Sequence, residues 1–244
     1  MSSTGATPVE ATPRPRPNLL TEWISPLVAE FIGTFTLIFA GVSAITMTQG
    51  KDLVAIAFAH GLAIGLMVAA AGRISGGSYN PAVTIGLALG RVLTLNKSVA
   101  YIIVELAGAV AGALIVKGVF PAAMTNAVKF GTPQVGAGYS IGEALLSEIV
   151  LSFFLMYVIY GTAVDGKSMG SIIAPLAIGL TITMDVFANG AVGGAAMNPA
   201  RQFGPALIGN VWTDAWIWYV GPILGMVIAA VVYNYIHLAG DKTG

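Results

Sequence analysis

The sequence predicts an all-α membrane protein, with six transmembrane helices plus two re-entrant half-helices in an inverted repeat. Three observations predict it. Of 244 residues, 56% are hydrophobic and only 9% charged, whereas soluble domains carry about a quarter of their residues as charged ones. Six apolar stretches reach the roughly 20 residues that a spanning helix needs. The triplet Asn-Pro-Ala occurs twice, at Asn80-Pro81-Ala82 and Asn198-Pro199-Ala200, and each time opens an apolar run too short to cross.

Residues 1–18, rich in Pro, Thr and Ser and containing Arg14 and Arg16, are expected to form a disordered cytoplasmic tail. The first apolar stretch is long enough to span and is not followed by a small-residue cleavage site, so it reads as a retained helix rather than a signal peptide. A single domain is expected over 19–240, with one repeat at about 25–119 and the other at about 142–237. The six spans fall near 25–47, 53–72, 98–119, 142–163, 171–190 and 214–237. The two short segments, near 80–90 and 198–208, begin with Asn-Pro. Proline suits a first helical turn, where its missing N–H is no loss. Thirty-one glycines fit helices that approach one another closely in a bilayer.

With the N-terminus inside, Arg14, Arg16, Arg73, Arg91, Lys97, Lys167 and Lys242 collect on the cytoplasmic side. Lys51, Lys117 and Lys129 fall on the other side, and Arg201 is assigned to the pathway. The positive-inside rule therefore places both termini in the cytoplasm. Three spans per half is an odd number, so the second half enters from the opposite side. The repeat is legible in detail. Fifty residues separate Glu30 from Asn80 and Glu148 from Asn198 alike. Leu62-Ala63-Ile64-Gly65 recurs as Leu176-Ala177-Ile178-Gly179, and Gly76-Gly77 and Gly193-Gly194 precede the two triplets. Interrupted helices in inverted halves place a functional site at the repeat interface.

Eleven basic residues balance eleven acidic ones, which gives no reason to expect nucleic acid as a partner. There is no cysteine, hence no disulfide, thiolate metal site or cysteine nucleophile. No Ser-His-Asp set, zinc cluster or phosphate-binding loop is present, so neither an enzyme nor a bound metal or cofactor is expected. A secondary transporter would need a mid-membrane acid facing the pathway. The candidates are Glu30, Glu105 and Glu148, but the equivalent positions of Glu30 and Glu148 in the repeat favour scaffolding. Asp185 is expected in the outer vestibule and His237 at the interface. Trp212, Trp216, Trp218 and Tyr219 suit the membrane boundary.

Non-helical backbone at membrane depth is tolerated only where protein buries it or water lines it. Two such segments entering from opposite sides bring both helix N-termini to the middle, each with about half a positive charge. Asn80 and Asn198 can cap these ends with their oxygens and turn amide hydrogens into the lumen. A water is then oriented from both sides, while a cation meets positive potential. A lone triplet would be a helix start and nothing more.

The runs Ser75-Gly76-Gly77-Ser78-Tyr79-Asn80-Pro81-Ala82-Val83-Thr84 and Asn198-Pro199-Ala200-Arg201-Gln202-Phe203-Gly204-Pro205-Ala206 resemble the two signatures of aquaporins, the major intrinsic protein family, over about 25–238. Gly161-Thr162-Ala163-Val164-Asp165 and Ile173-Ala174-Pro175-Leu176-Ala177-Ile178-Gly179 are most similar to tonoplast intrinsic proteins. The resemblance implies a passive pore for water, with ammonia, urea or hydrogen peroxide as secondary solutes. It further implies exclusion of protons and ions, a homotetramer with one pore per subunit, and a cell or vacuolar-type membrane. It places a selectivity filter at His60, Val186, Ala195 and Arg201. Read from the residues alone, Arg201 paired with a buried carboxylate and His60 bonded to a neighbouring helix remain alternatives.

Val186 stands where strict water channels carry histidine, and His60 where they carry an aromatic ring, which implies a wider mouth. Gln202 and Ala206 replace the charged residues typical of glycerol facilitators, and Trp218 and Tyr219 replace their proline and aliphatic residue; a glycerol facilitator is the alternative. The resemblance makes Glu30 and Glu148 structural acids that accept hydrogen bonds from the loop backbone. Glu105 stands where glutamine is common, either protonated or paired with loop backbone. Because the 244 residues contain no thiol, mercurials should leave osmotic water flux into proteoliposomes unchanged; potent block at low dose would contradict this.

Overall fold

The computed structural model describes residues 18–166 and 172–238. The expected tail lies outside them apart from Asn18, and so do Arg14, Arg16, Lys167 and Lys242. Six helices are long and apolar enough to cross a membrane. They are α1 (Ser25–Thr48, entered through a π-turn at Leu20–Ile24), α2 (Leu53–Ser75), α4 (Leu95–Val119), α6 (Ile141–Ile159, extended by Tyr160–Val164), α7 (Ala174–Gly193) and α9 (Ile217–Val232, extended by Tyr233–His237). Two half-helices, α3 (Pro81–Leu89) and α8 (Pro199–Gly209), and a short α5 (Ala122–Ala127) complete the described helices. The fold is the six-span, two-half-helix inverted repeat that the sequence predicts.

Local chemistry sets the ends. Asp52 caps α2 by accepting from the Ala55 N–H at 2.9 Å, and α2 stops where Gly76 turns left-handed at φ 102°. Ser140 and Glu143 form a reciprocal capping box at the start of α6. Some boundaries differ from those expected. The first span starts earlier, because Asn18 and Thr21 cap each other: the Thr21 N–H donates to Asn18 Oδ1 at 3.0 Å and the Thr21 hydroxyl to the Asn18 carbonyl at 3.2 Å. The last starts at Ile217 rather than 214, because Trp212–Ala215 closes a turn. The fifth starts at Ala174, with Pro175 in its first turn.

Packing repeats between the halves. Helix α1 lies against α2 and α4, and α6 lies against α7 and α9. Helix α2 meets α7 across the halves. The half-helices are exchanged: α3 packs on α9, the last span of the second half, and α8 packs on α4, the last span of the first. Neither half can therefore assemble its pathway alone.

The polarity is reversed relative to a soluble protein. Glu30, Asn80, Glu105, Glu148, Asp185, Asn198 and Arg201 are buried, whereas Ile32, Leu62, Leu66, Ile103, Leu146, Phe154, Leu176 and Leu224 are exposed. Such an apolar exterior around a polar interior is what lipid as solvent demands, and the chain is a multi-pass integral membrane protein. Close helix contact rests on small residues in the equivalent helix pairs α1–α4 and α6–α9. A Cβ on Gly112 would stand 2.7 Å from the Phe35 carbonyl, and one on Gly225 would collide with the Ile149 carbonyl. Gly118, on the same helix as Gly112, faces open space. Gly225→Val should destabilise the detergent-solubilised protein by about 1–3 kcal/mol, the usual cost of overpacking, while Gly118→Val leaves it unchanged. Thermal melting reads both; equal melting of the two variants would refute this packing.

Candidate functional site

The two loops before α3 and α8 have the same backbone. In the register that pairs Glu30 with Glu148, Gly76 and Gly194 take φ 102° and 82°, Gly77 and Ala195 take 70° and 44°, and Tyr79 and Met197 take 49° and 51°. Asn80 and Asn198 are then extended, at φ −161° and −154°, and cap their helices. Asn80 Oδ1 accepts from the Ala82 N–H at 2.9 Å. Asn198 Oδ1 accepts from Ala200 at 2.9 Å and Arg201 at 3.3 Å. The amide groups cross: Asn80 Nδ2 donates to the Met197 carbonyl at 2.8 Å, and Asn198 Nδ2 to the Tyr79 carbonyl at 3.0 Å. Both half-helix N-termini therefore meet, each asparagine giving one N–H to the opposite loop and keeping the second.

Behind each loop stands a glutamate. Glu30 accepts from the Ser78 N–H at 3.1 Å and the Tyr79 N–H at 2.6 Å. Glu148 accepts from Ala196 and Met197, both at 2.8 Å. Each carboxyl satisfies two peptide N–H groups that no helix can pair.

A narrow cavity runs past the asparagines, lined by the loop residues Gly77, Ser78, Asn80, Ala195, Ala196, Met197 and Asn198 together with His60 and Arg201. The rest of its lining is apolar, with Leu37, Ile64, Val83, Leu155, Ile159, Ile178 and Ile182. It holds about 30 Å³ of room for water centres, where a single water needs about 10–15 Å³. Arg201 also lines a broader vestibule with Val186. Arg201 Nε donates to His60 Nε2 at 3.0 Å, and His60 Nδ1 lies 2.8 Å from the Ile56 carbonyl. Since Nε2 must accept, Nδ1 carries the hydrogen and the imidazole is neutral. Both of its nitrogens are thus used by the protein. Arg201 Nη1 is buried and unpartnered by protein.

Among the residues expected at the filter, His60 and Ala195 line the narrow cavity, Val186 the vestibule, and Arg201 both.

The sequence model of the family described as "Major intrinsic protein" matches residues 20–233. The chain belongs to that family. It is similar to the probable aquaporin TIP2-2 of Oryza sativa subsp. japonica, 42% identical over 226 residues and covering 88% of each protein. It is similar also to aquaporin TIP2-1 of Arabidopsis thaliana, at 39% over 226 residues and 88% of each. In fold it resembles the aquaglyceroporin of Plasmodium falciparum, with a TM-score of 0.81 and 24% identity over 91% of this chain and 100% of that one.

In this major intrinsic protein two expectations fail. Asp185 is not in the vestibule: it is fully buried, with neither carboxyl oxygen hydrogen-bonded. Trp218 is not at the membrane boundary, nor does it line the cavity. It is fully buried, donates from Nε1 to the Gly193 carbonyl at 2.7 Å, and packs with Ala144, Ala196 and Ile217 behind the second loop. Trp212 and Trp216 are exposed. The connection between the halves, which suggested no element, forms α5 and a turn at Lys129–Gly131, and its residues 131–136 line the vestibule. Gly41 also escaped notice, although a Cβ there would collide with His60 Nε2. Gly41→Val should therefore break the His60–Arg201 hydrogen bond, and a structure of the variant that retains this bond would contradict the assignment.

Proposed function

We propose that the protein is a passive channel for water, excluding protons and ions, with ammonia, urea and hydrogen peroxide as secondary solutes. The observation that carries this reading is the convergence of two capped helix N-termini on one narrow cavity. Each terminus contributes about half a positive charge, and Arg201 adds a full one. A cation is repelled three times over. A water can donate to main-chain carbonyls of the loops and accept from the asparagine amides. The apolar part of the lining offers nothing to bond, so exchange from one site to the next stays fast.

In this reading Asn80, Pro81, Ala82, Asn198, Pro199 and Ala200 form the central constriction, and His60, Val186, Ala195 and Arg201 the outer filter. Small Ala195 and apolar Val186 leave room for solutes somewhat larger than water. Glu30 and Glu148 are scaffold acids, not coupling sites, because two loop N–H groups occupy each carboxyl. Residues 19–240 act as one channel domain, with both termini cytoplasmic and the protein in a cell or vacuolar-type membrane. The TIP-type aquaporins it is similar to support water over glycerol, and family likeness supports a homotetramer.

Stopped-flow light scattering on proteoliposomes tests the reading. Osmotic water flux independent of any ion gradient is expected, exceeding glycerol flux. Gradient-dependent solute uptake without water flux would replace the channel by a secondary transporter. Arg201→Val should raise proton or larger-solute permeability by about tenfold, the effect of roughly 1.4 kcal/mol off a barrier, with water flux retained. Unchanged selectivity of that variant would remove Arg201 from the filter.

A further inference from the structure

Glu105, on α4, is fully buried and lies beside the first loop. Its Oε1 accepts from the Thr84 hydroxyl at 2.7 Å. Thr84 in turn sits one turn into α3, its N–H donating to the Asn80 carbonyl at 2.9 Å. The carboxyls of Glu105 and Glu30 are close neighbours, and the Asn80 N–H faces Glu105 from the loop. Yet Glu105 Oε2 has no donor to accept from.

The titratable groups facing this pair are Tyr79 from the loop and Tyr101 from α4 itself. Helix α1 supplies only Glu30 and α3 none, while Arg201 of α8, the other helix packed on α4, is turned to His60. Among the described residues no cation is there to offset a second negative charge. Two carboxylates in contact cannot both ionise in such a place. Glu30 is held by two peptide N–H groups at 3.1 and 2.6 Å, whereas Glu105 has one hydroxyl at 2.7 Å and only a looser approach of the Asn80 N–H, so the charge belongs to Glu30 and the proton to Glu105. The second half differs, since there Glu148 has the attraction of Arg201.

We propose that Glu105 is a neutral carboxylic acid that accepts from Thr84 through Oε1 and donates its remaining O–H to Glu30, acting as a positioning residue for the first Asn-Pro-Ala loop. Loop, half-helix and α1 are then joined through one proton. Glutamine reproduces both contacts, its carbonyl accepting from Thr84 and its amide donating to Glu30. Leucine reproduces neither.

Two measurements on the purified full chain test this, and the first is independent of the channel reading. The infrared difference between wild type and Glu105→Gln at neutral pH should contain the C=O stretch of a protonated carboxylic acid; buried Asp185 is common to both and cancels. A difference showing only carboxylate bands would overturn the proposal. In proteoliposomes Glu105→Gln should keep water permeability within about twofold of wild type, whereas Glu105→Leu should lower it about tenfold or fail to assemble, as expected from buried polar groups left unpaired. Glu105→Gln failing as Glu105→Leu does would also overturn it. Absence of water flux in the wild type, with the acid band present, would strike the channel reading alone.

Discussion

A bilayer offers no water to a peptide group that leaves its helix, and this molecule leaves two helices unfinished at mid-depth. The cost of an unpaired peptide group there is several kcal/mol. Two devices meet it. Glu30 and Glu148 each accept two loop N–H groups from behind. Asn80 and Asn198 each cap a helix with oxygen and donate across to the other loop. Residues of both loops, Ser78 and Ala196 among them, also line the narrow cavity. The same groups that make the fold affordable thus define what can pass.

The exchange of half-helices explains why both halves are needed. Helix α3 rests on the last span of the second half and α8 on the last span of the first. The scaffold is nearly symmetric, but its contents are not. The second half places Arg201 directly after its triplet, where the first has Val83. Positive charge beyond the helix ends is therefore confined to one mouth of the cavity. The first half carries Glu105 instead, an acid with no counterpart cation.

The spans, the half-helices and the paired glutamates were legible because each leaves a mark in composition or spacing, whereas the filter positions came only from resemblance to a family. A 20-residue apolar run, an Asn-Pro step and an equal interval are patterns along the chain. Other features depend on contacts that no interval records. Asp185 follows a polar-looking context but is turned inward on α7, beside Val186, which does face the vestibule. Trp218 reads as an interfacial aromatic because it lies near three others, yet it is two residues, about 200° around a helix, from exposed Trp216 at the start of α9, and so falls on the buried face. Gly41 is one of thirty-one glycines, and only the position of His60 across from it shows why it is small. The 120–140 connection lacks periodicity altogether, because it folds over a mouth rather than along a membrane.

The bond between His60 and Arg201 ties the halves together a second time, away from the asparagines. His60 comes from α2 of the first half and Arg201 from α8 of the second. The Ile56 carbonyl fixes the ring's hydrogen on Nδ1, so helix α2 itself aims the acceptor nitrogen at Arg201. Gly41 leaves the space in which the ring lies. A histidine held on both nitrogens has no hydrogen left to offer a solute. In the proposed filter, hydrogen bonding to a passing solute falls to the unpartnered Nη1 of Arg201, while Val186 and Ala195 would supply shape without polarity. In the proposed channel, discrimination against cations rests on a guanidinium whose charge is permanent, and the histidine, bonded to Arg201 Nε, holds that guanidinium in place.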